Sequence, residues 1–147
     1  MEAQETQLFQ VLAATCSETT QAFAQFTGMP QNRRQLLTLI EEQGEISHAA
    51  LQQRLGMDGA VVTRLVKQFE AQGLLTRRLD PQDNRFTLMT LTASGQAVVK
   101  SLAEAHRQFQ TRLLAGVSDL DREHLVQALE QIRANVRTFK AEEHTGD

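Results

Sequence analysis

Thr63, Arg64 and Lys67 stand close together in the stretch GMDGAVVTRLVKQFEAQGLLTRRLDPQDNRFTLMTLT, residues 56–92. These residue types suit recognition of a nucleic acid. Arginine presents a planar fork that matches guanine O6 and N7, threonine can donate to a base edge or a phosphate, and lysine is a point charge suited to phosphate. Gly59 and Ala60, just upstream, are small enough for a backbone to approach a duplex closely, and Ala60 can meet a thymine methyl. Arg85 closes the run DPQDNR, where a guanidinium at a hairpin tip can enter a minor groove and sense its width and potential. Arg77 and Arg78 flank that tip; neighbours in a strand face opposite ways, so only one of them can point at a duplex. Ser47, His48 and the amides around them form a helix start able to clamp a phosphate.

These residues need elements to hold them. Val61, Val62, Leu65, Val66 and Phe69 form a helical stripe that must face a core, which predicts a helix over 58–72 with the polar residues on its other face. Gly73 ends it, because glycine enters the left-handed region without steric cost. Strands are predicted over 74–79 and 86–91, joined by Asp80-Pro81 and Asp83-Asn84, both turn-forming pairs. Ser47 is a good N-cap for a short helix to Leu55, so 47–72 reads as a helix-turn-helix, and Ile46 is a candidate edge strand. Upstream, helices are expected over 6–26, broken by Gly28 and Pro30, and over 31–43, burying Leu36, Leu37, Leu39 and Ile40. Downstream, Thr92 caps a helix over 93–114. Ser118, with Asp121 three residues on, starts a last helix to about Glu142, and the polar tail EEHTGD is expected to fray. The fold class is therefore mainly α, six helices with a two- to three-stranded wing.

Asp80, Pro81, Asp83, Asn84 and Arg85, with Leu91-Thr92 and Gly95 downstream, resemble the DxxDxR…LT..G signature of the MarR family of bacterial transcription regulators. Thr63-Arg64-Leu65 and Gly73-Leu74-Leu75 are similar to that family's recognition helix and its exit. The resemblance implies a sequence-specific DNA-binding homodimer, most simply a ligand-responsive repressor on a near-palindromic operator. Within one domain over 1–147, it implies a winged helix-turn-helix lobe over 30–92 and dimerisation helices from 1–29 and 93–147. It also implies that Arg85 enters the minor groove and that Asp58 pairs with Arg85 to hold the wing. Asp80, Asp83 and Asn84 shape the tip by bonding their own backbone. A small aromatic or anionic effector is implied between the dimer helices and the reading lobe, with Arg33 and Arg34 as its candidate anion contacts. The terminal amphipathic helices independently call for a dimer, since they present more apolar surface than one small subunit can bury.

Composition agrees with this class. The 147 residues suit one domain, hydrophobic content is 41%, and no apolar run approaches a membrane span. With no secretory signal visible and Cys16 the only cysteine, the cytoplasm is the expected compartment. A net charge of −3 argues against an indiscriminate nucleic-acid binder. The stretch 58–85 is the one net-positive part, with Arg64, Lys67, Arg77, Arg78 and Arg85 against Asp58, Glu70, Asp80 and Asp83. No cofactor, metal centre or enzymatic activity is expected. His48, His106, His124 and His144 are scattered, His106 is read as exposed, and no phosphate loop or nucleophile elbow occurs. Two alternatives remain. One is an oxidant switch at Cys16, although the chain has no tyrosine and no nearby cation to activate a thiolate, and a small apolar filler is the plainer role. The other is a winged-helix module that binds protein, whose affinity would lack the steep salt dependence of DNA binding.

Overall fold

The computed structural model describes residues 1–144: six helices and one small sheet. The elements are α1 (Glu2–Thr27), α2 (Gln31–Gln43), β1 (Ile46–Ser47), α3 (His48–Leu55), α4 (Gly59–Ala71), β2 (Leu75–Leu79), β3 (Thr87–Leu91), α5 (Ala93–Leu113) and α6 (Asp119–His144). Each expected helix is present, α1 beginning earlier than expected and α6 running to His144. Of the tail EEHTGD, expected to fray, 142–144 continue α6 and the last three residues lie outside the described residues. The strands β2 and β3 each start one residue later than expected, and Ile46 adds the third strand, giving the antiparallel order β1-β3-β2. Among the described residues, no helix is long and apolar enough to cross a membrane.

The core explains why these segments fold together. Its buried side chains all come from 36–89: Leu36, Leu37, Leu39 and Ile40 of α2, Ile46, Leu51, then Val62, Leu65, Val66 and Phe69 of α4, Leu75 and Met89. Four of the five residues in the α4 stripe are buried, and Val61 packs at the margin. Because side chains alternate in a strand, the register Ile46↔Met89 and Arg77↔Met89 places the sheet's buried row on one face. The row Ser47, Leu88 and Arg78 lies on the other.

Two junctions set the orientation of α4. At its exit, Gly73 takes φ +72°, the Leu74 N–H donates to the Phe69 carbonyl at 2.9 Å, and the Gly73 N–H donates to Glu70 at 3.0 Å. This is a Schellman cap, and it turns the chain directly into β2. The start of α5 is fastened to the same place. Thr92 donates from its N–H to the Leu74 carbonyl (3.0 Å) and from its hydroxyl to the Gly73 carbonyl (2.6 Å), while that hydroxyl accepts from the Gly95 N–H (3.1 Å). A Cβ on the buried Gly95 would lie 2.0 Å from the Leu74 carbonyl oxygen, so only glycine permits the approach. The Leu-Thr…Gly part of the motif is thus a fastening between α5 and the exit of α4.

The chain divides into two compact units, Met1–Phe109 and Gln110–Asp147. In the first, Phe23 of α1 meets Phe109 and His106 of α5, with ring centroids 5.0 and 5.2 Å apart, and Phe26 meets Phe109 at 5.7 Å. His106 is exposed as expected, and it is also an edge-on partner of Phe23. In the second, Ser118 caps α6 by accepting the Asp121 N–H (3.1 Å) and donates its hydroxyl to the Asp121 carboxylate (2.6 Å), which orients the cap. Apolar side chains remain exposed on α1 (Leu8, Phe9, Val11) and on α6 (Leu120, Leu125, Val126, Val136, Phe139).

Candidate nucleic-acid interface

A helix turns about 100° per residue, so burial of Val62, Leu65, Val66 and Phe69 leaves Ala60, Arg64, Lys67 and Ala71 along the opposite side of α4. Arg64 and Lys67 are exposed there and have no hydrogen bond or ion pair among the described residues. Thr63 lies on the flank facing α3, where its Oγ1 is 3.1 Å from His48 Nε2. Being four residues before Lys67, it stands at the α3 edge of the face that carries Lys67 and Arg64, half-buried by this contact. His48 is half-buried in this contact, which ties the two helices of the helix-turn-helix together. Ser47 accepts the Ala50 N–H at 3.1 Å and caps α3, so its hydroxyl is already engaged in holding the helix start.

Asp58 caps α4, accepting the Ala60 N–H at 2.8 Å. Its expected pairing with Arg85 is not made; the capping role occupies the carboxylate, and a nearer acid takes the arginine. A Cβ at Gly59 would meet the amide end of the Gln52 side chain of α3 at 3.0 Å. Ala60 is exposed beside it.

The wing tip is organised by two aspartates. Asp80 Oδ1 accepts the Gln82 N–H (2.9 Å) and Asp83 Oδ1 accepts the Arg85 N–H (3.1 Å), while the Asp80 N–H to Phe86 carbonyl bond (2.9 Å) closes the loop. Asn84, expected to help in the same way, contributes no such side-chain bond. Asp83 also binds the Arg85 guanidinium, with Nε at 3.0 Å from Oδ1 and Nη2 at 2.8 Å from Oδ2. The Arg85 side chain is nevertheless 86% exposed, so the acid orients the guanidinium without covering it. Arg85's side-chain hydrogen bond, followed by its backbone N–H, holds the Asp83 carboxyl below its ordinary range, and the guanidinium is raised in return.

Arg77 and Arg78 face opposite sides of β2, as alternation requires, and each is held by a carboxylate. Arg77 forks onto Glu70 of α4 with both contacts at 2.8 Å; Arg78 reaches across the sheet to Glu45 at 2.9 and 2.7 Å. Arginine hydrogen bonding lowers Glu70 and raises both guanidiniums. These partners were not legible in the sequence, because they depend on the sheet register and on where α4 sits over β2.

Arg33 and Arg34 also have internal partners. Arg33 donates to Gln68 Oε1 (2.7 Å) and Gln72 Oε1 (3.4 Å) and lies 4.5 Å from the centre of the Phe69 ring. Arg34 donates to the Met29 carbonyl and lies 4.5 Å from the centre of the Phe23 ring, with burial lowering its pKa. Cys16 is exposed on α1. Among the described residues, no group of His, Cys, Asp or Glu is arranged to hold a metal ion.

The MarR family model matches residues 31–87, which include both helices of the helix-turn-helix and the wing tip. A curated relative from Bacillus subtilis, the uncharacterized HTH-type transcriptional regulator YdgJ, is 36% identical over 145 residues, spanning 89% of this chain and 88% of the relative. The structure of an E. coli MarR mutant complexed with operator DNA aligns with a TM-score of 0.72 at 16% identity, over 88% of this chain and 95% of that one. That of Bordetella bronchiseptica BpsR, whose DNA binding is regulated by 6-hydroxynicotinic acid, aligns at 0.69 and 23% identity, over 86% and 98%. At such identities the solved structures speak to the fold, while the Bacillus relative and the family model carry the kinship. The chain belongs to the MarR family of winged-helix, non-enzymatic DNA-binding transcriptional regulators.

Proposed function

We propose that this regulator binds a near-palindromic operator as a homodimer and represses transcription until a small aromatic or anionic effector lowers its affinity. The observation that carries the DNA-reading part is the distribution of free cations. Arg64 and Lys67 project from the outward face of α4 without partners among the described residues, and Arg85 stands exposed at the wing tip. In this reading α4 enters the major groove, with Arg64 addressing base edges and Lys67 a phosphate. Arg85 enters the flanking minor groove. Gly59 and Ala60 give close approach at the helix start, and Ser47 and His48 support it from the start of α3, His48 through its contact with Thr63 of α4. Arg77 and Arg78 act mainly by holding the wing to α4 and to the sheet. The lobe over 30–92 is the reading part, which agrees with a core drawn wholly from 36–89. The dimer reading rests on the apolar side chains exposed on α1 and on α6, and half-sites would lie about 10 bp apart. The effector reading rests on the BpsR relationship. With Arg33 and Arg34 already engaged, an anion would reach them only by competing with Gln68, Gln72 or the Met29 carbonyl.

Titration against the DNA upstream of its own gene tests this function. Tight, selective binding that weakens steeply with salt is expected; binding that is salt-insensitive or indifferent to sequence would remove the operator reading. A second reading, an oxidant switch, draws on the exposure of Cys16. Peroxide should then release operator from the native protein but not from Cys16→Ser, and equal behaviour of the two removes the switch.

A further inference from the structure

We infer that Arg33 and Arg34 form a joint that sets the reading helix against the terminal helix α1, with Arg33 as a positioning residue for DNA selectivity rather than a DNA contact. The inference rests on α4 being the reading helix. Two adjacent residues in the first turn of α2 send their guanidiniums to different elements. Arg34 holds the Met29 carbonyl and stacks on Phe23, which itself meets His106 and Phe109 of α5. Arg33 forks onto Gln68 and Gln72, one turn apart on the flank of α4, and stacks on Phe69, the fully buried anchor of that helix. A planar, multiply donating cation suits both contacts, and a lysine could reproduce neither the fork nor the stacking.

The joint is one of three lateral holds on α4. His48 grips Thr63 on the α3 flank, Arg77 grips Glu70 from β2, and Arg33 grips Gln68 and Gln72 on the α2 flank. Together they leave Arg64 and Lys67 free while limiting rotation of α4 about its own axis. Arg33 is the one whose neighbour in sequence is fastened to the α1–α5 aromatic cluster. A change in that cluster therefore reaches the end of the reading helix through the first turn of α2, which carries both arginines.

Two readouts test the joint, one of them independent of DNA. In the free protein, amide hydrogen exchange at Gln68–Gln72 should quicken by about tenfold in Arg33→Gln, within the range seen for directly coupled neighbours. It should also quicken in Arg34→Lys, while β2 and β3 amides stay unchanged as an internal control. In operator titrations, Arg33→Gln and the pair Gln68→Ala with Gln72→Ala should each reduce the ratio of operator to random-DNA affinity. All three changes together should do no more than either alone. The slope of log affinity against log salt should stay that of the native protein, because no phosphate contact is lost.

A slope reduced by about one, with equal weakening on random DNA, would make Arg33 a phosphate ligand and overturn the inference. Additive effects, or α4 exchange unmoved by Arg34→Lys, would remove the coupling. Native protein without operator selectivity would sink the operator reading itself, and the exchange experiment would still decide whether the joint exists.

Discussion

At the scale of single residues, the useful distinction is between cations that are committed and cations that are free. Arg33, Arg34, Arg77 and Arg78 are all bound to neighbours, whereas Arg64 and Lys67 have no partner among the described residues, although a sequence shows only that all six are basic. Arg64→Ala should therefore relax base preference at one operator position, costing about 1–3 kcal/mol against the preferred base. Lys67→Ala should weaken operator and random DNA alike and lower the salt slope by about one. Competition titrations over a salt series separate the two. Arg85 is intermediate, oriented by Asp83 yet open to solvent. Because Arg85 depresses the Asp83 carboxyl in the folded wing, the pair supports the tip fully above the ordinary carboxylate range. That support fades as pH falls through the lowered value. Arg85→Gln should return Asp83 toward its ordinary range, as measured by carboxyl NMR titration, while operator binding falls at neutral pH.

Helices and strands show why the motif has its form. Asp80, Asp83 and Arg85 build the turn; Thr92 and Gly95 fasten α5 to the end of α4. Gly95→Ala would force a Cβ to 2.0 Å from the Leu74 carbonyl oxygen, so the backbone must move. A loss of about 1–3 kcal/mol is expected, as for overpacked interiors, seen as a lower urea midpoint with an unchanged slope. Phe69→Ala removes the fully buried anchor of α4 and should cost about 3–5 kcal/mol by the same measurement. The helix boundaries were legible because hydrophobic period, caps and breakers agree locally. Ser47, Asp58, Thr92 and Ser118 were each readable as a helix start, and each caps one. The Asp58 carboxylate was assigned a second, distant partner as well, and there the structure departs from expectation.

For the whole molecule, the distribution of burial is informative. The core lies within 36–89, while apolar side chains on α1 and on α6 stay open, Phe9 and Phe139 at 67% and 65% exposure. Open apolar surface on both terminal helices is what an intersubunit contact would cover. Sedimentation should then give twice the chain mass. Phe139→Glu should shift the population toward monomer and weaken binding to the full palindrome more than to an isolated half-site.

The sequence by itself determined the order of helices, the caps, the wing and the family, because each depends on residues within a few positions of one another. It also placed Arg85 at the tip, through the turn-forming pairs around it, and Arg64 and Lys67 on a polar face, through the helical period. Only the tertiary structure decided which polar groups meet: Thr63 with His48, Arg77 with Glu70, Arg78 with Glu45, Arg33 with Gln68 and Gln72. Arg33 and Gln68 are separated by 35 positions and joined by a 2.7 Å contact. Such contacts follow from sheet register and from the rotation of α4 over the core, both of which arise from packing of the whole lobe rather than from any local pattern of residues.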